Sequence, residues 1–475
     1  MRTLDLFIAG RWRPGTGGYG PVINPATEEQ VARHAIATQA DLDEALAAAA
    51  ECFPRWSALP AAERGAVLER TARLLRANAK DWARELTAEN GKTLAESEGE
   101  IGRAIEHFEW YGAEAGRIAG VLAPPRQATH QRLIVPQPVG VVVAFTAWNF
   151  PAVLVARKLS AALAAGCTVI LKAAEETPTV AARIVGALVE AGLPAGAINL
   201  VFGDPPTIST HLLASPIVRK LTFTGSTAVG RTLARLAADD LKRCTFELGG
   251  HAPVIVCADA DIDKVVAATI PYKFTSAGQS CVAPSRFYVH ESLYEDCIAR
   301  FTAAAAAITV GDGREAGVRM GPLATRRRLE AVERLTGDAV DRGARLVLGG
   351  KRLDRKGWFF PPTVLAEVPE AAAVMNEEPF GPLAPFAPFS DIEDAIARAN
   401  RLRYGFTAYG FTRSLDTAAL LSQRLKAGNV GINQMCPSLP DVPIGGLDQS
   451  GYGYEGGRTG LEEFLHFRLV SQTFA

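Results

Sequence analysis

Two periodicities divide this chain. From Asp41 to about Arg117 apolar residues recur at helical spacing. The pattern is plainest in AAERGAVLERTARLLRANAKDWARELT, whose charges fill the opposite face. Between Val139 and Leu248 short apolar runs alternate with helical stretches. VGVVVAFT, CTVILKAA, INLVFG and KLTFTG read as strands; NFPAVLVARKLSAALAAG, PTVAARIVGALVEAG, THLLASP and the segment from Ser226 read as helices. Buried strands alternating with helices predict an α/β fold, a parallel sheet covered on both faces. A second α/β region is expected from about Gly250 to Gly446, with strands at APVIVC, RFYVH and NVGIN. FIAGRWRPGTGG and VINPATEE predict two short strands joined by a glycine-rich turn. Gln131–Pro138 and Glu463–Phe474 read as extended and stand outside the alternation.

At 475 residues the chain exceeds what one hydrophobic core organises, so two or more domains are expected. Hydrophobic residues at 48% and charged ones at 21% fit a water-soluble globular protein. A net charge of −1 gives a nucleic acid or an anionic membrane nothing to be drawn to. MRTLDLFIAG lacks the apolar core of a signal peptide, and no uncharged stretch is long enough to span a bilayer. The expected location is the cytoplasm. Seven scattered cysteines without a C-x-x-C predict neither a disulfide framework nor a zinc site, and no metal is expected.

Glu247 in FELGG and Cys281 in GQSC supply a carboxylate base and a thiol nucleophile. Thiol attack on a carbonyl, followed by release of the thioester to water, needs one of each. Gly278, Gln279 and Ser280 leave the sulfur approachable, and Gly249 and Gly250 admit close approach beside the carboxylate. A buried apolar cysteine and a solvated glutamate are the plain alternative. Two stretches match G-x-G-x-x-G, Gly15–Gly20 and Gly451–Gly456, but neither links a buried strand to a helix, so both are expected to be turns. Thr224–Gly225–Ser226 does end an apolar strand and open a helix, where amides can receive a pyrophosphate.

Seven motifs in order now resemble the NAD(P)-dependent aldehyde dehydrogenase superfamily across essentially the whole chain. They are AWNFP (147–151), LKAAEETP (171–178), FTGST (223–227), FELGG (246–250), GQSC (278–281), NEEPFGP (376–382) and PIGGLDQSGYGYEGG (443–457). The resemblance implies a doubly wound parallel-sheet cofactor domain (1–117 and 138–249) and an α/β catalytic domain (250–446). It also implies a small β oligomerisation element (118–137 and 460–475), and with it a homodimer or homotetramer.

It implies roles as well. Cys281 is the nucleophile and Glu247 the base that activates water. The oxyanion is held by the Asn149 side-chain amide and the Cys281 backbone N–H, although Asn149 could instead cap the following helix. NAD is implied at Trp148, Lys172 and Glu175, at Gly225 and Ser226, and at Glu378 and Phe380. Glu175 accepts from ribose hydroxyls and repels a 2′-phosphate, which favours NAD over NADP. Ala173 stands where the family more often has proline. Lys158 and Glu455 match proton-relay positions, with surface roles as the alternative.

For the substrate, the resemblance to the succinate-semialdehyde branch rests on Arg157, with Ser438 near its substrate loop. A buried guanidinium needs an anion, supplied either by substrate or by a protein carboxylate. The second arginine typical of that branch is replaced by Thr275, and Phe150 suits aromatic or aliphatic aldehydes. The reading is oxidation of an aldehyde to its acid through a Cys281 thioester, with an acidic semialdehyde such as succinic semialdehyde as substrate. A benzaldehyde-type or aliphatic substrate is the alternative. A cysteine esterase is the competing class, but it has no use for KAAE, FTGST or EEPFGP; thioester release to coenzyme A is disfavoured by the carboxylate at Glu247.

Overall fold

The computed structural model describes residues 2–436 and 438–474. Met1, Pro437 and Ala475 lie outside it, and with them the outermost positions of the expected 1–117 and 460–475 segments. The helical periodicity of the first third resolves into α1 (Gln39–Ala58), α2 (Ala61–Asn90) and α3 (Leu94–Ala115). Helices α1 and α3 open on capping boxes, Thr38 with Asp41 and Thr93 with Glu96. Helix α2 stops at Gly91, whose φ of 89° only glycine adopts cheaply.

The alternating region builds an eight-stranded sheet. Its order is Gly451–Tyr452, Arg243–Glu247, Val218–Thr224, Val141–Phe145, Thr168–Lys172, Ile198–Val201, Leu6–Ile8 and Arg11–Arg13. The five strands between 141 and 247 are parallel, and the flanking ones run antiparallel to their neighbours. Helices α4 (Pro151–Ala165), α5 (Pro178–Glu190), α6 (Pro205–Ala214) and α7 (Thr227–Ala238) intervene along the chain. From Val141–Phe145 the order runs outward one way through the next two strands, then reverses to Val218–Thr224. That reversal opens a crevice at the carboxyl ends of two adjacent strands, where α/β sheets bind ligands.

A seven-stranded second sheet follows the order Arg345–Leu348, Thr363–Ala366, Leu383–Phe389, Pro284–His290, Ala252–Val256, Thr407–Phe411 and Asn429–Ile432. Only its Arg345–Leu348 edge is antiparallel. Each large sheet has its own buried apolar cluster; in the second, Phe287 stacks on Phe386 with ring centroids 4.5 Å apart. Helix α8 (Ile262–Phe274) leads from Ala252–Val256 toward Pro284–His290. The two extended segments pair with each other within the chain, Leu465–Thr473 with His130–Pro138, and Val121–Ala123 adds a third strand.

Three expectations change. The opening segment holds more strands than two: Leu6–Ile8 and Arg11–Arg13 form a hairpin on the large sheet, closed by Ala9 and Gly10, both at positive φ. Tyr19–Ile23 and Gln30–Ala35 belong to a separate small sheet with Arg2–Leu4. Gly451–Gly456 begins as a strand paired with Phe246 and Glu247 rather than as a turn. Helix α6 starts at Pro205, earlier than THLLASP suggested, because Asp204 caps it by accepting from the Thr207 amide at 2.9 Å.

Candidate active site

Strand ends deliver most of the site. Asn149 follows Val141–Phe145, Lys172 ends Thr168–Lys172, Gly225 and Ser226 follow Val218–Thr224, and Glu247 ends Arg243–Glu247. All reach the crevice at the sheet's carboxyl edge. Cys281 comes from the second sheet, in the loop between α8 and Pro284–His290. Ser276, Ala277 and Gly278 in that loop sit consecutively at φ of 51°, 53° and 74°. A Cβ on Gly278 would stand 2.2 Å from the Gly381 carbonyl, so only glycine fits. Gln279 ties the loop down: its Nε2 donates to Ser276 O at 2.8 Å and its Oε1 accepts from the Ala324 amide at 3.0 Å.

Asn149 does not cap α4, whose cap position is Phe150 without a side-chain bond. The amides at the head of α4 are met by Glu100 from α3, whose Oε1 accepts from Ala152 at 2.7 Å and Val153 at 3.3 Å. Lys92 pairs with the other Glu100 oxygen and donates to Asn149 O at 2.7 Å, fixing the backbone beside the amide. Asn149 Nδ2 donates to Gln279 O at 3.1 Å, which leaves its second N–H free to serve a ligand. Glu100 and Lys92 were invisible as site residues in the sequence, because their bonds cross from α3 and the loop before it to the head of α4 and the residues just ahead of it.

The base sits in a buried cluster. Arg157 Nη1 lies 3.1 Å from Glu247 Oε1 and 3.6 Å from Glu455 Oε2, and its Nη2 donates to Ser438. Lys158 pairs with Glu455 and donates to Thr222 at 3.1 Å. Lys158 and Glu455 are 1% and 4% exposed, which rules out the surface roles weighed for them. Of the two anions considered for Arg157, the protein carboxylates are the ones it meets. Burial first, then the neighbouring Glu455 carboxylate, push Glu247 up to about 7, against the pull of Arg157 and Lys158. Burial pushes Glu455 the same way, but Lys158 and Arg157 outweigh it and hold that carboxyl below its usual range. Burial, then Glu247 and Glu378, raise the Cys281 thiol, while Arg157 and the cysteine's own amide oppose them.

Two cavities meet here. One, of about 220 Å³, is lined by Phe150, Arg157, Tyr272, Thr275, Phe406 and Ser438 among others. The other, about 310 Å³, takes in Trp148, Lys172, Glu175, Gly225, Ser226, Glu378 and Phe380, every position expected to meet a dinucleotide. Asn149, Thr224, Glu247 and Cys281 line both.

The second cavity suits a dinucleotide chemically. Ser226 caps α7 by accepting from the Val229 amide at 3.4 Å, and the first amides of that helix have no acceptor within it. Lys172 and Glu175 touch one another at one end. At the other, Glu378 is fixed by the Gly250 amide at 2.8 Å and raised to about 7, chiefly by burial. Trp148 meets Phe380 edge-on at 5.5 Å. Thr224, whose hydroxyl donates to Glu247 at 3.2 Å, went unassigned in the sequence although it lies inside the FTGST motif.

The family model for the aldehyde dehydrogenase family matches residues 12–470. A 4-(hydroxymethyl)benzenesulfonate dehydrogenase of Comamonas testosteroni is 46% identical over 470 residues, 99% of this chain and 98% of that one. The NADP(+) succinate-semialdehyde dehydrogenase of Escherichia coli K12 is 41% identical over 98% of this chain and 97% of its own length. The crystal structure of succinate-semialdehyde dehydrogenase from Burkholderia pseudomallei superposes with a TM-score of 0.98 at 39% identity, covering 99% of this chain and 98% of that one. This chain belongs to the aldehyde dehydrogenase family, whose members use NAD(P), and is an oxidoreductase acting on aldehydes.

Proposed function

We propose that the chain oxidises an aldehyde carrying an acidic group, with NAD as cofactor, through a covalent intermediate on Cys281. The observation that carries this is the four-residue junction: nucleophile, base and amide donor face both cavities at once. A cysteine hydrolase would need only the first cavity.

The Cys281 sulfur attacks the aldehyde carbon, its S–H proton passing to water as the C–S bond forms. Charge developing on the oxygen meets the free N–H of Asn149 and the Cys281 amide. A bound nicotinamide would supply the hydride acceptor, the two-electron oxidant that the Cys281 adduct needs to become a thioester. Lys172 and Glu175, Gly225 and Ser226, and Glu378 with Phe380 and Trp148 would hold the dinucleotide. Glu247, poised near neutrality, then takes a proton from water as its oxygen attacks the thioester, and the acid leaves with the thiol restored. Glu175 neutralises Lys172, the cation that a 2′-phosphate would otherwise meet, which supports NAD although the E. coli relative is named for NADP(+).

The acidic substrate rests on charge. With Glu247 protonated, Arg157 and Lys158 face Glu455 alone and the cluster is left positive beside the aldehyde cavity. The substrates in the two relatives' names, a benzenesulfonate and a succinate semialdehyde, both carry an acid. We assign residues 1–117 and 138–249 to the cofactor domain and 250–446 to the catalytic domain. The sheet of 118–137 and 460–475 joins subunits: Val121 and Leu122 on one outer strand and Phe467 and Leu469 on the other are all exposed, and an outer strand left unpaired is what another copy would cover.

The test is NADH formation with acidic and neutral aldehydes. Acidic aldehydes should give the higher kcat/KM, and Cys281→Ala should abolish turnover while dinucleotide still binds. Full activity in that variant would end the mechanism.

A further inference from the structure

We propose that Arg103, on α3, recognises the acidic end of the substrate, and that an apolar spacer of about the width of a benzene ring separates that acid from the aldehyde. This rests on the acidic-aldehyde reading above and assigns the group that reads the charge.

Only two cations line the aldehyde cavity among the described residues, Arg103 and Arg157. Arg157 is consumed by Glu247, Glu455 and Ser438 deep in the site. Arg103 is exposed and forms no ion pair or side-chain hydrogen bond among the described residues. Along α3 the carboxylates one turn away are Glu100 and Glu106; Glu106 is exposed and forms no ion pair with Arg103 among the described residues, and the others are engaged elsewhere. Glu100 serves Lys92 and the head of α4, and Glu96 serves Thr93 and the Ser276 amide. One turn on, His107 is buried and held neutral, by burial first and then by Arg157 and Arg103, so it brings no competing charge.

Position completes the argument. Thr275, which stands where the semialdehyde branch has its second arginine, lines the same cavity, with its hydroxyl spent on Pro271 O at 2.7 Å. Arg103 also lines the cavity, close enough to Tyr272 to oppose the burial-driven rise of its phenol. Much of the remaining cavity wall is apolar or aromatic: Phe150, Val153, Leu154, Tyr272, Phe406 and Ile444. The cavity, about 220 Å³, exceeds the ~150 Å³ that suffices for benzene. An aldehyde held at Cys281 with a ring among those side chains directs a far-side carboxylate or sulfonate toward the exposed guanidinium, whose planar fork suits either anion.

The test compares kcat/KM for 4-formylbenzenesulfonate and 4-formylbenzoate with that for benzaldehyde, which has the same shape without the charge. In Arg103→Gln, one or both anionic substrates should lose about tenfold, mainly through KM, while benzaldehyde stays within about twofold. The substrate that loses more identifies the anion read. Arg103→Lys should recover most of the loss and Arg103→Glu should deepen it, a charge order that a purely structural role would not produce. An unchanged anionic-to-neutral ratio in both Arg103→Gln and Arg103→Glu overturns the assignment while leaving acidic substrates intact. A wild-type enzyme that does not distinguish anionic from neutral aldehydes overturns both readings together.

Discussion

Glu455→Gln and Lys158→Met should move the acidity of Glu247 in opposite directions. Arg157 Nη1 touches both carboxylates, at 3.1 Å and 3.6 Å, so their oxygens lie within roughly 7 Å of one another. At that separation and an effective dielectric of about 20, one charge changes the other's ionisation by on the order of 2 kcal/mol, between one and two pK units. Glu247 starts at about 7, raised by burial and then by Glu455, and opposed by Arg157 and Lys158. Glu455→Gln removes a repelling charge, so Glu247 ionises at lower pH. Lys158→Met removes an attracting one, so the pair keeps its last proton to higher pH. Water activation needs the carboxylate, and the rate therefore rises with pH through this ionisation. The rising limb should move acidward in Glu455→Gln and alkaline in Lys158→Met. The assay is kcat against pH at saturating aldehyde and NAD, with a pre-steady-state burst of NADH confirming that thioester hydrolysis limits turnover. Limbs that shift in the same direction, or not at all, refute the electrostatic account.

Three further outcomes follow from the geometry. Asn149→Ala should lower kcat by about 10²–10³ while dinucleotide affinity, measured by fluorescence titration, holds. Glu175→Gln releases Lys172 and should raise kcat/KM for NADP relative to NAD; a fixed ratio in parallel assays would remove Glu175 from cofactor choice. Gly278→Ala drives a methyl into the Gly381 carbonyl and strains a left-handed residue, at a cost of about 1–3 kcal/mol. Thermal denaturation should show a lower Tm, and activity should fall further than stability because the loop carries Cys281.

Legibility in the sequence followed the range of the forces involved. Strands such as VGVVVAF and TVILK were readable because burial on both faces imposes a continuous apolar run. The crevice residues were readable because each lies in a motif at a strand end. Glu100 was not: its value lies in meeting the amides of α4 from α3, a contact that no local pattern encodes. Arg157 was identified but left between two partners, since the sequence cannot show that Glu247 and Glu455 converge on it. Arg103 carried no signal at all, because an exposed arginine on an amphipathic helix looks like any other solvated charge until the cavity beneath it is seen.

The junction of Asn149, Thr224, Glu247 and Cys281 has an evolutionary consequence. Because those four side chains are the whole overlap between the cavities among the described residues, the remaining walls are separately editable. On the proposed function, replacements at Arg103, Tyr272, Thr275 or Ser438 should retarget the enzyme to another aldehyde, since none of them lines the second cavity. On the same reading, the diet should be able to change while the redox partner stays the same, and the redox partner to change at Lys172 and Glu175 while the diet is kept.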